Sequence, residues 1–171
     1  MSEIINKLAQ SGLVDLDLEQ WYTKGERLLL DIKDWLHEGM ILREKDFRQK
    51  LKQHDWKQYL GKLVALTCSS WAILPKWTYP LLTTQLQPYA QKVVQGTLHD
   101  LENMLYQEII EKLDVSNLQG QRIVIRGCSK YPIPENAYVL LIQKLQPIAQ
   151  SLMYGEACST VPLYKRKLIK T

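Results

Sequence analysis

The chain has 171 residues, of which 46% are hydrophobic and 23% are charged, and its formal net charge at neutral pH is +4. These values are typical of one soluble globular domain, so we predict a single domain over residues 1–171. No segment approaches the roughly 20 apolar residues that cross a bilayer. Nothing at the N-terminus resembles a secretory leader, which favours a cytoplasmic protein without a membrane partner.

Residues 1–60 differ from the rest of the chain and are predicted to form a helical and strand-containing N-terminal region. A short helix is expected over residues 3–10, ending near Gly12. Residues 26–32 contain a run of leucines that predicts a strand, and residues 43–59 have the charged, helical periodicity of a surface helix.

Residues 61–165 alternate between strand and helix signals and form the predicted α/β core. Alternation of this kind predicts βαβ units with right-handed crossovers and a parallel or mixed sheet. The predicted strands cover residues 63–66, 92–94, 122–125 and 151–154, and the predicted helices cover residues 79–86, 98–113 and 135–145.

The core contains an internal repeat. Residues 75–96 and 134–155 are identical at ten of 22 positions with a constant offset of 59. The match includes a proline before each predicted helix, a Leu-Gln-Pro step after it and a terminal glycine. Upstream, with a slip of one residue, Cys68-Ser69 aligns with Cys128-Ser129. The repeat therefore predicts two copies of one βαβ unit.

The basic residues at the C-terminus, in the tail 166–171 and just before it, are Lys165, Arg166, Lys167 and Lys170. Four charges at a chain end are typical of a solvated tail, and no aromatic-rich basic repeat accompanies them. We therefore expect no nucleic-acid partner.

Each of the three cysteines is followed by a serine: Cys68, Cys128 and Cys158. An odd number without a secretion signal favours reduced thiols over a disulfide framework. All three follow predicted strands, and ligands of open α/β sheets bind beyond the carboxyl ends of the strands. If one sheet holds these strands, the thiols belong to one edge of it.

Three interpretations of this placement remain open. The cysteines could ligate zinc or an iron–sulfur cluster, because thiolates are preferred ligands of both. One of them could act in a thiol-dependent enzyme, since a helix N-terminus lowers the pKa of a nearby thiol. Alternatively, they are small apolar packing residues in a non-catalytic protein-interaction module.

Additional ligand candidates are His99, which the repeat aligns with Cys158, and Glu156, His54 and Asp55. The histidine and aspartate in His54-Asp55-Trp56 also fit a capped helix end beside a buried tryptophan, and we favour that structural interpretation. The spacing of the cysteines contains no CxxC pair, so the metal interpretation depends on the predicted topology.

Several segments resemble an uncharacterised bacterial family, domain of unknown function family 2480. They are residues 43–47, 54–56, 64–69, 127–129 and 155–165, and the resemblance extends over nearly the whole chain. It carries over the three cysteines one by one. At the position of Trp71 the family pattern favours an acidic residue, and at the position of His99 it has no histidine. The resemblance therefore supports neither residue as a ligand.

Members of this family are often encoded among iron–sulfur cluster assembly genes, so the resemblance implies iron–sulfur assembly proteins as partners. We accordingly expect an accessory factor in iron–sulfur cluster assembly or metal handling, with a cluster or zinc as its cofactor. The interaction module and the thiol-dependent enzyme remain as alternatives, and a homo-oligomer is compatible with each.

Overall fold

A computed structural model describes residues 6–8, 12–127, 130–156 and 159–167. The described strands and helices alternate along most of the chain, as the sequence predicts. In chain order they are β1 (Asn6–Leu8), β2 (Leu13–Leu16), β3 (Arg27–Asp31), α1 (Glu44–Gln53), β4 (Leu63–Thr67), α2 (Thr78–Leu86), β5 (Lys92–Gln95), α3 (Leu98–Lys112), β6 (Arg122–Ile125), α4 (Glu135–Leu145), β7 (Ser151–Glu156) and β8 (Ser159–Lys165).

The chain divides into two compact units, and the second is inserted into the first. The first unit takes in Met1–Thr23 and Leu105–Thr171, and the second takes in Lys24–Met104. That the two units fold together as a single domain over residues 1–171 stays a prediction. Within the described part of the chain, no helix is both long enough and apolar enough to span a bilayer.

The second unit contains a parallel sheet in the order β3-β4-β5. Residues 63–66 of the central strand are fully buried, as expected for a parallel strand covered on both faces. In α1, Phe47 and Leu51 lie one turn apart and are buried, so they join this unit's core. Arg27 of β3 forms an ion pair of 2.6 Å with Glu102 in the first half of α3.

The first unit contains a five-stranded sheet in the order β1-β2-β6-β7-β8. Strands β2, β6 and β7 are parallel, whereas β1 and β8 pair antiparallel at the two edges. Its core gathers residues of β2, β6 and α4 with the second half of α3, including Leu16, Ile123, Leu141 and Tyr106. Arg126, which follows β6, forms an ion pair of 2.6 Å with Asp15 of the neighbouring strand β2.

The predicted duplication is confirmed: β4-α2-β5 and β6-α4-β7 are both parallel βαβ units. The central strands begin at residues 63 and 122, and the helices end at residues 86 and 145, each pair 59 residues apart. Even the turns match, since Gly61 and Gly120 share a φ of 69° and donate hydrogen bonds of 2.9 Å to Tyr89 and Ile148.

Two expectations need correction. The N-terminal region is not clearly helical, because Asn6–Leu8 is a strand paired antiparallel with β2, and α1 is the α-helix described before residue 60. The strands also form two sheets rather than one. The βαβ pattern in the sequence is compatible with one sheet or with two. In the structure, β4 pairs in parallel with β3 and β6 pairs in parallel with β2, so each copy of the repeat builds its own sheet.

Candidate functional site

The carboxyl edge of the second unit's sheet holds a group of polar side chains that we call the strand-end cluster: Asp31, Cys68, Ser69, Ser70 and Tyr79. Asp31 ends β3, and Cys68 follows β4 directly. Tyr79 lies in the first turn of α2, which starts after the same loop. Parallel strands bring their carboxyl ends to one edge, and this edge is where α/β sheets bind ligands.

Asp31 joins the ends of the two strands. Its carboxylate accepts hydrogen bonds from the backbone N–H groups of Lys33, at 3.0 Å, and Ser69, at 3.1 Å. Burial by itself raises the pKa of Asp31, but hydrogen bonds from the side chain and backbone of Ser69 and the backbone of Lys33 outweigh it and leave the pKa lowered. Asp31 is therefore a carboxylate that fixes the start of the loop after β4.

Cys68 is a free, partly buried thiol. Its side chain packs against the second unit's core, and Sγ lies 3.2 Å from Oγ of Ser70. Burial raises the pKa of Tyr79, the nearby Cys68 and Asp31 raise it further, and a hydrogen bond with Gln95 lowers it in part. The phenol thus stays protonated beside the thiol, where it can donate a hydrogen bond.

The first unit repeats much of this arrangement. Asp17 follows β2 and accepts a backbone hydrogen bond two residues on, from Glu19, as Asp31 does from Lys33. Tyr138 matches Tyr79 and packs edge-on against Tyr154, with ring centroids 5.5 Å apart. Cys128 and Cys158 lie outside the described residues, so their predicted convergence with Cys68 stays a prediction.

Arg126 carries the positive charge at the end of β6. A hydrogen bond and then the charge of Asp15 raise its pKa, and Asp17 and Glu156 add to the effect. Glu156, a predicted ligand, is the last residue of β7 and partly buried. Its charge is therefore partly balanced by Arg126.

His54 and Asp55 have the contacts that the structural interpretation expects. His54 packs among Trp35, Trp56 and Tyr59, and its Nε2 lies 2.9 Å from the Tyr59 hydroxyl. Burial lowers the pKa of His54, and the charge of Asp55 opposes that shift. Asp55 itself accepts a hydrogen bond of 3.0 Å from the Lys57 N–H and so caps the 3-10 helix Trp56–Tyr59.

His99 is exposed in the first turn of α3. Among residues 12–127, 130–156 and 159–167, no three His, Cys, Asp or Glu side chains lie close enough together to hold a metal ion. The part of the chain that the structure describes therefore does not complete the predicted metal centre.

Sequence reasoning missed the exposed apolar side chains of the loop that follows Cys68. Trp71 is 102% exposed and Ile73 is 95% exposed. Their counterparts in the first unit have packing partners: Tyr131, although 41% exposed, stacks on Tyr22 with ring centroids 4.0 Å apart and planes 6° apart, and Ile133 packs against the core. Aligning the loops of the two copies would have paired Trp71 with Tyr131, but only the structure shows that Tyr131 has a ring stacked on it and that Trp71 is fully exposed.

A family model described as "Protein of unknown function (DUF2480)" matches residues 2–166, so the chain belongs to this family. No curated protein matches the chain, and no solved structure matches it either.

Proposed function

We propose that the chain is an accessory protein of iron–sulfur cluster assembly or metal handling, and that the thiol of Cys68 contacts the cargo. One observation carries the proposal: Cys68 is a free, partly exposed thiol beyond the carboxyl end of a central parallel strand. This is the position where α/β sheets bind their ligands. A thiolate is also the ligand that thiophilic metals prefer.

The described surroundings of Cys68 do not by themselves form a closed metal centre. A structural zinc site is closed by four ligands. Near Cys68 lie the hydroxyl of Ser70 and the protonated phenol of Tyr79, which are poor metal ligands, and the Asp31 carboxylate of the same cluster already accepts hydrogen bonds from the Lys33 and Ser69 N–H groups. The remaining ligands of any cargo would therefore come from elsewhere. The sequence prediction assigns them to Cys128 and Cys158, and this stays a proposal.

The experiment is anaerobic purification followed by metal and sulfide analysis and an absorbance spectrum. We expect iron with sulfide, or zinc, to copurify with the wild-type chain and to fall to background in Cys68→Ser. Ser70→Ala is the matched control, because it alters the same loop and keeps the thiol. Equal metal content in Cys68→Ser and the wild type would contradict the proposal.

A second candidate is a non-catalytic protein-interaction module, and the exposure of Trp71 and Ile73 favours it. Contiguous exposed apolar patches mark interaction surfaces, and Trp71 and Ile73 lie two residues apart on one loop. In this interpretation Cys68 is a packing residue of the second unit's core. Cys68→Ser would then leave partner binding intact, whereas Trp71→Ser would weaken it.

A further inference from the structure

The helix α2 contains three threonines, and two of them use their hydroxyls within the helix. Oγ1 of Thr83 donates a hydrogen bond of 2.8 Å to the Tyr79 carbonyl, and Oγ1 of Thr84 donates one of 2.7 Å to the Leu81 carbonyl. Thr78 is 0% exposed, and its Oγ1 has no hydrogen-bond partner in the part of the chain that the structure describes. A buried hydroxyl without a partner destabilises a fold, so it is retained where something offsets that loss.

The βαβ unit itself does not require a hydroxyl at this position. Thr78 shares the buried face of α2 with Leu82 and Leu86. The buried face of α4 consists of the residues 59 positions later: Ala137, Leu141 and Leu145. Both leucines are kept, whereas an alanine replaces Thr78. An apolar side chain therefore suits the packing, and the hydroxyl in the second unit is an addition to it.

Helix geometry gives the direction of the Thr78 side chain. Thr78 is the first residue of α2, and the side chains of a helix lean toward its N-terminus. Its face of the helix packs on the sheet, since Leu82 and Leu86 share the second unit's core with Leu66 of β4. The hydroxyl therefore points toward the carboxyl edge of the sheet, where residues 68–77 connect β4 to α2.

The start of α2 is also a place where positive charge is not compensated. Its N-cap, Trp77, makes no side-chain capping bond, and the first turn contains no acidic residue. The exposed Lys76 precedes the helix, whereas α4 has Glu135 at the matching position. Among the described residues, the N–H of Tyr79 has no backbone acceptor. A helix N-terminus with open N–H groups attracts anions.

We propose that the N-terminus of α2 binds a phosphate group, with the Thr78 hydroxyl and the Tyr79 N–H as donors and Lys76 as the counter-charge. These three donors match the three terminal oxygens of a phosphate group. Asp31 brings a negative charge to the same edge, but its carboxylate already accepts backbone hydrogen bonds and faces the charge of Lys33.

Oγ1 of Thr78 is buried in this structure, so residues 68–77 have to shift when the anion binds. This connection contains no helix or strand that would resist the shift. The site uses no thiol, and the proposal therefore does not depend on a metal cargo at Cys68.

The first test is a ¹H–¹⁵N NMR titration with inorganic phosphate at constant pH, with the ionic strength held constant by chloride. We expect saturable shifts of the Thr78 and Tyr79 amides, and a dissociation constant raised roughly tenfold or more in Lys76→Glu. Lys45→Glu is the matched control: it makes the same charge change at an exposed site in the first turn of α1, and it should leave the constant unchanged. No saturable shift in the wild type, or an equal constant in Lys76→Glu, would overturn the proposal.

The second test concerns the hydroxyl and uses thermal melts without phosphate. Thr78→Val replaces an unpaired hydroxyl with a methyl group, so its melting temperature should equal or exceed that of the wild type, and its phosphate affinity should fall. Thr83→Val removes a hydroxyl that has a partner, so it should lower the melting temperature and keep the phosphate affinity. The proposal fails if Thr78→Val lowers the melting temperature as Thr83→Val does, or if Thr78→Val binds phosphate as tightly as the wild type.

Titration with AMP identifies the source of the phosphate group. A dissociation constant for AMP well below that for inorganic phosphate assigns the site to an organic phosphate, and an equal or higher constant assigns it to free phosphate. Cys68→Ser should bind phosphate as the wild type does. Loss of metal in Cys68→Ser and loss of phosphate in Lys76→Glu therefore report on two separate sites, and either proposal can fail without the other.

Discussion

The first prediction concerns Asp31, whose carboxylate joins the ends of β3 and β4. Asp31→Ala removes the acceptor of two backbone hydrogen bonds, from Lys33 and Ser69, and of the Ser69 hydroxyl. Each hydrogen bond to a charged group contributes about 1.5–3 kcal/mol when it is buried. Both backbone bonds here are exposed, so water replaces much of the loss. We therefore expect a total cost of about 1–2 kcal/mol in the free energy of unfolding.

For a chain of this size, that loss corresponds to a melting temperature lower by roughly 2–8 °C. The assay is urea unfolding and a thermal melt, with Asp34→Ala as the matched control. Asp34 is an exposed neighbour in the 3-10 helix Lys33–Trp35, so its replacement removes the same charge close by. Asp31→Asn should recover part of the loss because the amide oxygen still accepts a hydrogen bond.

The pH dependence follows from the lowered pKa of Asp31. A carboxyl group whose pKa is lower in the folded state stabilises the fold fully above its unfolded value, about 3.9, and loses this contribution as the pH falls through the folded pKa. The difference between the wild type and Asp31→Ala should therefore be constant near neutral pH and shrink in acid below about pH 4. Equal losses in Asp31→Ala and Asp34→Ala, or a difference that does not shrink in acid, would refute this role of the carboxylate.

Three further predictions follow from the other contacts. Gly155→Ala should cost about 3 kcal/mol in urea unfolding, because Gly155 has a φ of 122° and an added Cβ would meet the backbone oxygen of Ser159. Gly12→Ala should cost about 1 kcal/mol, because Gly12 has a φ of 63° and open space around it. Equal costs for the two variants would contradict this reasoning. His54 has a lowered pKa in the folded state, so the free energy of unfolding should decrease as the pH falls from about 6.5 through the folded pKa. His54→Gln should remove that decrease in a series of thermal melts at different pH. An unchanged pH profile would assign the decrease to another group. Cys158→Ser should lower the melting temperature more with reconstituted metal than without it if Cys158 is a ligand, and equal shifts would reject that assignment.

The α/β class, the order of most elements and the duplication could be predicted because they leave periodic signals in the chain. Residues 63–66 are continuously apolar, as a strand buried on both faces requires. The paired prolines and glycines at an offset of 59 mark the same turns in both copies.

The partition into two sheets could not be predicted, because it depends on the pairing of β2 with β6 and of β3 with β4. The short apolar strands have similar sequence patterns, so the pattern predicts strands without predicting which strand pairs with which. The N-terminal helix was wrong for a related reason: pairing with β2 decides the conformation of residues 6–8 over their local propensity.

At the candidate site, the sequence predicted the position of Cys68 beyond a strand but not its neighbours. Asp31 lies 37 residues away along the chain and reaches the loop only through the parallel pairing of β3 with β4. Tyr79 and Tyr138 are among the ten identical positions of the repeat, but repetition alone does not show that Tyr79 lies near Cys68. The full exposure of Trp71 had no signal in the sequence, since Tyr131 at the matching position is 41% exposed and stacks on Tyr22.

The central claim, that the thiol of Cys68 contacts a metal cargo, is tested most directly by titration with Co²⁺ under anaerobic conditions. Cobalt reports thiolate ligation through an intense near-ultraviolet charge-transfer absorption, which hydroxyl and carboxylate ligands do not produce. We predict that this absorption develops in the wild type and in the Ser70→Ala control and is largely lost in Cys68→Ser. An absorption of equal intensity in Cys68→Ser, or none in the wild type, would contradict the proposal.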